Sequence, residues 1–217
     1  MVRREASIFI VDDDDAVLDS LKVLLESLDF NVETYNSGQD FLSTYRSGGA
    51  ACLVYDLRMP DVSGLEIIDR LAEQGSRLPV IIITAGGDVS LAVKAMKSGA
   101  LDFVEKPFEE SEILASIERA LKLSREAQLE ATEREDAREA LARLTARERD
   151  VLDLLIVGCS NKSIASELGI SPRTVEVHRA RVIEKMGARS LPHLMRIALA
   201  AGVAPREIEV EREAGQS

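Results

Sequence analysis

Short apolar runs alternate five times with segments of helical periodicity in the first 123 residues. Strands are expected at residues 7–11, 31–35, 52–56, 79–84 and 102–105. Each run is followed by a segment in which apolar residues recur at helical spacing. Such alternation with short links requires right-handed crossovers, which produce a parallel sheet with helices on both faces. We therefore predict an α/β doubly wound domain over residues 5–123, with five strands in the flavodoxin-like order 2-1-3-4-5.

Polar side chains stand where these strands leave the sheet. Asp12 and Asp13 follow the first strand, Asp56 ends the third, Thr84 ends the fourth, and Lys106 follows the fifth. Because ligands bind at the carboxyl edge of an open parallel sheet, we expect three carboxylates to converge on one crevice. Unpaired, they would repel and raise one another's pKa values. Mg²⁺ relieves this repulsion best, since it takes one or two carboxylates together with phosphate oxygens.

The remaining two polar side chains suit a phosphoryl group. Lys106 supplies a mobile positive charge at the rim of the crevice, and Thr84 supplies a hydroxyl. The competing interpretation is that the acids merely decorate helix N-termini, where the helix dipole favours them. We accept that interpretation for Asp14 and Asp15, but not for the five residues together.

Residues 5–123 resemble the receiver domain of a two-component response regulator. The resemblance rests on the acidic pair, on Asp56 with the Arg58-Met59-Pro60 turn, on Thr84 and on Lys106-Pro107. It implies that Asp56 attacks a phosphohistidine on a partner sensor histidine kinase, to give an aspartyl phosphate with Mg²⁺ bound.

The same resemblance implies the roles of further groups. The metal ligands carried over are Asp13, Asp56 and the backbone carbonyl of Arg58, with Asp12 acting largely through water. Phe103 falls at the position of the family's rotating aromatic residue. When Thr84 moves to hydrogen-bond the phosphoryl group, Phe103 fills the space, and the surface of helix four, strand five and helix five changes shape.

Residues 124–143 contain no Gly or Pro and are rich in good helix formers, so helix five is expected to run on as a charged linker. Its apolar content is too thin for a strong coiled coil, because Leu129 has mostly alanines around it. A solvated helical linker and a dimerising one remain open.

Charge is distributed unevenly along the chain, which carries −11 overall. Residues 1–123 have a net charge of −10, whereas residues 145–204 have a net charge of +3. A polyanionic partner should therefore bind the second region.

Residues 144–204 carry the pattern of a helix-turn-helix domain. Thr145 with Glu148 forms a capping box, Gly158 ends the first helix, and Ser160 or Asn161 caps the second. A tight turn at residues 169–172 leads into a third helix. These residues, together with Ser171-Pro172-Arg173-Thr174-Val175-Glu176-Val177-His178, resemble the four-helix LuxR-type DNA-binding domain of the FixJ/NarL branch of transcriptional response regulators.

The third helix of this domain is expected to read the major groove. Val175, His178 or Arg179, Val182 and Met186 form its inward stripe. The outward residues are Thr174, Glu176, Val177, Ala180 and Arg181. The candidate phosphate contacts are Lys162, Ser171, Arg173, Arg179, Arg181 and Lys185. A domain of +3 binds DNA weakly as one copy, so a homodimer on paired half-sites is expected.

Two other functions were weighed. Asp12-x-Asp14 after a strand also matches the nucleophile motif of haloacid-dehalogenase-like phosphatases, but these have Thr or Val where this chain has Ala16. A partner-binding adaptor is disfavoured by Arg173, Arg179 and Arg181 on one helix.

The leading hypothesis is a cytoplasmic transcription factor that is switched by phosphorylation, expected to activate transcription, and not an enzyme beyond its own phosphoryl transfer and dephosphorylation. We expect no membrane association, because no apolar run approaches the ~18 residues of a membrane span and residues 1–10 lack the pattern of a signal peptide. Phosphorylation should promote dimerisation, and RNA polymerase is an expected partner. Residues 205–217 are expected to form a frayed acidic tail.

Overall fold

The structure is a computed structural model that describes residues 6–46, 48–86 and 89–204. The chain forms two compact units, Met1–Leu129 and Glu130–Ser217. The acidic tail expected at residues 205–217 lies outside the described residues.

The first unit alternates strands with helices. Its elements are β1 (Ala6–Val11), α1 (Asp15–Ser27), β2 (Asn31–Tyr35), α2 (Gly38–Thr44), β3 (Ala50–Asp56), α3 (Gly64–Glu73), β4 (Val80–Ala85), α4 (Val89–Ser98), β5 (Asp102–Lys106) and the start of α5 (Glu110–Ala142). The five strands form one parallel sheet in the order β2-β1-β3-β4-β5, which confirms the predicted fold class. β1 and β3 are therefore neighbours, and Val11 pairs with Tyr55 at their carboxyl ends.

β3 lies at the centre of the sheet and is buried on both faces. Successive side chains of a strand point to opposite faces, so Cys52 and Val54 join one core layer, while Leu53 and Tyr55 join the other. The first layer includes residues of α1 and α5, and the second includes residues of α2, α3 and α4. Burial on both faces explains why this strand is a continuous apolar run rather than an alternating one.

The second unit is helical and contains α6 (Ala146–Ile156), α7 (Asn161–Leu168), α8 (Pro172–Lys185) and α9 (Leu191–Ala200). The predicted capping box is present, because the Thr145 side chain accepts from the Glu148 N–H and the Glu148 side chain accepts from the Thr145 N–H. Ser160, one of the two candidates, is the cap of α7. Gly169 ends α7 with φ of +63°, a conformation that favours glycine, and so allows the tight turn into α8.

Helix α5 continues as one helix of 33 residues, as its composition predicted. Its last turns belong to the second unit, where Ala137 and Leu141 are buried. Leu141 joins the core of that unit, and Ala140 packs against it. The linker is therefore not solvated on all sides over these turns, because Ala137 and Leu141, one turn apart, are both buried.

Both cysteines are free thiols, Cys52 buried in β3 and Cys159 half-buried after α6. Among the described residues, no helix combines the length and apolar character needed to span a bilayer.

We predict that Ile10→Ala lowers the free energy of unfolding of the first unit by about 2–5 kcal/mol, because Ile10 is completely buried in the core and its loss leaves a cavity. Val23→Ala on α1 is the control, since Val23 is 69% exposed and should cost no more than about 0.5 kcal/mol. Urea denaturation followed by circular dichroism measures both, and equal losses would contradict the assigned core.

Candidate functional site

Three carboxylates meet at the carboxyl edge of the sheet, where β1 and β3 end side by side. One oxygen from each of Asp12, Asp13 and Asp56 lies within 4.8 Å of the others. Asp12 is fully buried, Asp56 is nearly so, and Asp13 is exposed. We call these three residues the acidic pocket. The predicted convergence is therefore present in the structure.

Lys106, at the end of β5, brings a positive charge into this pocket. Its Nζ donates to Oδ2 of Asp12 at 2.5 Å and lies 3.8 Å from Oδ2 of Asp56. Three carboxylates and one ammonium would leave two negative charges uncompensated when all are ionised. Hard oxygen donors with that residual charge match a divalent cation such as Mg²⁺.

The environment of Asp56 makes its carboxylate more basic than usual. Burial raises the pKa of Asp56, the Lys106 ammonium lowers it, and the Asp12 carboxylate raises it, so that the net shift is upward. Oδ1 of Asp56 also lies 3.4 Å from the N–H of Arg58, a long hydrogen bond. A partly desolvated carboxylate with a neighbouring cation is a suitable nucleophile for a phosphoryl group.

The remaining residues predicted for this site lie on the same or adjoining elements. Thr84 is buried near the end of β4, which neighbours β3. Arg58 lies in the exposed part of the segment that follows Asp56. Phe103, on β5, is half-buried against the second core layer. The roles of Thr84, Phe103 and the Arg58 carbonyl stay predictions.

Tyr55 and Asp61, which lie close to Asp56 in the sequence, make hydrogen bonds that were not anticipated from the sequence. The hydroxyl of Tyr55 donates to the carbonyl oxygen of Val62 at 2.6 Å. Oδ2 of Asp61 accepts from Oγ of Ser37 and from the N–H of Gln39, both at 2.9 Å. A tyrosine in an apolar run and an aspartate after a proline carry no signal of such long-range partners.

Helix α8 of the second unit has one buried and one exposed side, as predicted. Val175, Val182 and Met186 are buried in the core of this unit, and His178 and Arg179 are half-buried. The exposed residues are Ser171 at the cap, followed by Arg173, Thr174, Glu176, Val177, Ala180 and Arg181. Lys162 is exposed on α7. Contact of any of these residues with DNA stays a prediction.

Arg179 is partly engaged within the protein. Its Nη1 donates to Oδ1 of Asn161 at 3.1 Å, which joins α8 to the first residue of α7. The hydrogen bond holds the two helices of the helix-turn-helix together and restrains the guanidinium group beside their exposed surface.

Lys185 was predicted to contact a DNA phosphate, but its ammonium group forms hydrogen bonds within the protein. Its Nζ donates to Oε2 of Glu148 at 2.6 Å and to the carbonyl oxygen of Arg143 at 3.2 Å. Glu148 is buried, whereas the Lys185 side chain stays 33% exposed. The ammonium is thus committed to the protein, because a buried carboxylate left without its partner would be costly. Of the ten predicted DNA contacts, Lys185 is the one that this geometry disfavours.

The fold and the acidic pocket define a receiver domain, and the second unit defines a helix-turn-helix domain. Residues 8–118 match the response regulator receiver domain family, and residues 142–198 match the bacterial regulatory proteins of the luxR family. The chain belongs to the response regulator family and is a transcriptional response regulator of a two-component system.

Its relatives match it along most of their length. The transcriptional regulatory protein FixJ of Azorhizobium caulinodans is 48% identical over 200 residues, which cover 92% of this chain and 95% of that protein. The solved structure of the response regulator StyR has a TM-score of 0.82 at 40% identity and covers 90% of this chain and 99% of its own. The solved structure of full-length FixJ from B. japonicum has a TM-score of 0.55 at 46% identity. The match covers 90% of this chain and 97% of that one.

Membership in this family implies a sensor kinase and DNA as partners. The family consists of transcriptional regulators rather than classical enzymes, so the phosphatase alternative is not favoured. The adaptor alternative is not favoured either, because the second unit matches a DNA-binding family.

We predict that the stabilisation contributed by Glu148 disappears in acid. The hydrogen bond from Lys185 lowers the pKa of Glu148 from 4.5 to about 2. A depressed pKa means that the contribution is complete above pH 4.5 and is lost as the pH falls toward 2. The difference in unfolding free energy between the native chain and Glu148→Gln should therefore shrink across this range in urea titrations.

Glu139→Gln is the control for this titration, because Glu139 pairs with Arg143 at 3.4 Å on the exposed surface. Its effect should be small at every pH. A Glu148→Gln difference that stays constant between pH 4.5 and 2 would contradict the assigned ion pair.

Proposed function

We propose that Asp56 is the phosphoacceptor and that its phosphorylation switches DNA binding by the second unit. The observation that carries this proposal is the acidic pocket, in which Asp56 lies beside two further carboxylates with the Lys106 ammonium 3.8 Å away. Few other functions require a buried carboxylate, two acidic neighbours and a lysine at one edge of a parallel sheet.

The residues present fit Mg²⁺, because the pocket offers oxygen donors and carries excess negative charge. Asp12, Asp13 and Asp56 would hold the ion with the backbone carbonyl of Arg58, Asp12 acting largely through water. When bound, Mg²⁺ would neutralise charge on the phosphoryl oxygens.

Phosphoryl transfer then depends on how the chain's own groups are placed. An oxygen of Asp56 attacks the phosphorus of the kinase phosphohistidine, a new O–P bond forms, and the P–N bond breaks toward the histidine. Lys106 pairs with a phosphoryl oxygen, and the Thr84 hydroxyl donates to another. Hydrolysis of the acyl phosphate restores Asp56, and this self-directed chemistry is the whole enzymatic activity of the chain.

The switch acts through Thr84 and Phe103. Movement of Thr84 toward the phosphoryl group frees space beside β5, and Phe103, half-buried there, fills it. The surface formed by α4, β5 and α5 changes shape as a result and favours a homodimer.

DNA recognition follows from the exposed side of α8. Thr174, Glu176, Val177, Ala180 and Arg181 face the bases, and Lys162, Ser171, Arg173, Arg179 and Arg181 contact phosphates. The dimer occupies paired half-sites in the major groove, recruits RNA polymerase in the cytoplasm and activates transcription. Glu176, an acceptor, suits the amino group of cytosine.

Asp56→Asn tests the phosphoacceptor, since an amide cannot form the acyl phosphate. We expect no alkali-labile and hydroxylamine-labile phosphate on the variant after incubation with a small-molecule phosphodonor and Mg²⁺, and no phosphodonor-dependent gain in gel-shift affinity. Asp15→Asn, at an exposed acid of the first turn of α1, is the control and should respond as the native chain does. A full response from Asp56→Asn would overturn the assignment.

Salt dependence of DNA binding separates phosphate contacts from structural cations. Arg173→Ala should lower the slope of log affinity against log salt by about 0.9 for each bound copy, because one phosphate contact is lost. Lys185→Met should leave the slope unchanged, since its ammonium is engaged with Glu148. An equal decrease for both variants would restore Lys185 to the DNA interface.

A further inference from the structure

The segment between β3 and α3, residues 57–63, carries Arg58 and is called the site loop here. Its first residue extends the sheet, because the N–H of Leu57 donates to the carbonyl oxygen of Ile83 at 2.8 Å. The N–H of Gly64, the first residue of α3, returns to the carbonyl oxygen of Leu57 at 3.1 Å. These two contacts fix both ends of the loop, but they do not reach residues 60–62.

The later residues of the site loop are held by the hydroxyl group of Tyr55, a residue of β3. Tyr55 and Asp56 are adjacent in β3 and point to opposite faces, so Tyr55 lies in the core while Asp56 lies in the acidic pocket. The Tyr55 hydroxyl donates to the Val62 carbonyl oxygen at 2.6 Å, and both residues are buried. Water competes poorly for a hydrogen bond in such a place.

Gly38, the first residue of α2, makes room for this hydroxyl. A Cβ at position 38 would lie 2.1 Å from Oη of Tyr55 and 3.0 Å from Cβ of Val62. Any side chain there would push the hydroxyl away from Val62. The hydrogen bond therefore depends on glycine at this position.

Asp61 joins the same part of the loop to the start of α2. Its carboxylate accepts from Ser37 and Gln39, the residues on either side of Gly38. Burial alone would raise the pKa of Asp61, but hydrogen bonds from the N–H groups of Gln39, Val62 and Gly38 and from the Ser37 hydroxyl outweigh it, so the pKa lies below its usual value. Val62 is thus attached to the Tyr55 hydroxyl, and Asp61 is attached to the start of α2. Both attachments lie around Gly38.

We infer that Tyr55 and Asp61 are positioning residues, which hold the site loop so that the Arg58 carbonyl is preorganised toward the acidic pocket and thereby strengthen Mg²⁺ binding. The inference rests on the proposed function, in which that carbonyl is a ligand. A loop that is already ordered loses little conformational entropy when the ion binds, whereas a loosened loop must be ordered at the expense of affinity.

Isothermal titration of the full chain with MgCl₂ tests the inference without any phosphoryl transfer. Tyr55→Phe should weaken Mg²⁺ binding about fivefold, the effect expected from loss of one hydrogen bond. Tyr45→Phe is the matched control, because its hydroxyl lies 3.2 Å from Oγ of Ser76, away from the site loop. It should leave the dissociation constant unchanged even if thermal unfolding shows a similar loss of stability.

A double-mutant cycle separates positioning from general loosening. Gly38→Ala alone should weaken Mg²⁺ binding about as much as Tyr55→Phe, since the new methyl group displaces the hydroxyl. In the Tyr55→Phe background it should add much less, because the displaced group is already absent. Fully additive losses would count against the inference.

Asp61→Asn tests the attachment of the site loop to Ser37 and Gln39. Its effect on Mg²⁺ binding must be corrected for the loss of a negative charge. Removing a carboxylate weakens cation binding through long-range attraction alone, so Asp69→Asn on the exposed side of α3 measures that contribution. We expect Asp61→Asn to weaken Mg²⁺ binding more than Asp69→Asn does.

The outcomes are distinguishable. If the native chain binds Mg²⁺ while Tyr55→Phe equals Tyr45→Phe and Asp61→Asn equals Asp69→Asn, the inference is overturned and the proposed function stands. If the native chain shows no Mg²⁺ binding, the proposed function itself fails, and the inference fails with it.

Discussion

Repulsion among carboxylates at the carboxyl edge of the sheet is the constraint on which the rest of the first unit depends. Asp12 is fully buried, and an unpaired charge there would be strongly destabilising. Lys106, 94 residues further along the chain, supplies the partner at 2.5 Å. That contact requires the strand order found, since β1 must lie centrally beside β3 and the end of β5 must be within reach of a lysine side chain.

One ammonium group does not neutralise three carboxylates, so the acidic pocket keeps an excess of negative charge. This excess charge determines what the pocket can bind. Asp56 is left with a raised pKa and a nearby cation, and Asp13 is left exposed at the rim. The residual negative charge suits a divalent cation, and under the proposed function an added phosphoryl group on Asp56 would change the charge of the pocket. A site with these properties can convert a covalent change of one residue into a change of shape.

The second unit also contains a lysine paired with a carboxylate that lies far away in the sequence, but here the pair connects two helices. Glu148 and Lys185, 37 residues apart, form a partly buried ion pair that connects the start of α6 with the end of α8. The Arg143 carbonyl, just beyond the end of α5, shares the same ammonium. The orientation of the exposed side of α8 is thus tied both to the core and to the end of the long helix.

Local patterns were enough to predict the strand order and the acidic pocket, because apolar runs that alternate with helical segments follow the rules of doubly wound parallel sheets. Helical spacing predicted the inward stripe of α8. They also predicted the Thr145–Glu148 capping box, which spans three residues. They could not predict that Lys185 is the partner of Glu148, or that Tyr55 and Asp61 hold the site loop. Those pairings depend on tertiary distances between residues of ordinary type. For the same reason, the alanine-rich end of α5 gave no sign that Ala137 and Leu141 would be buried.

We propose above that Asp12, Asp13, Asp56 and the Arg58 carbonyl form one cation site. The most direct measurement is paramagnetic broadening of backbone amide signals by substoichiometric Mn²⁺, a substitute for Mg²⁺ with similar ligand preferences. We expect broadening to centre on residues 12–14 and 56–59, to be reversed by excess Mg²⁺, and to be lost in Asp13→Asn. Broadening spread evenly over the acidic surface, or centred on another group of carboxylates such as Asp102 and Glu105, would contradict it.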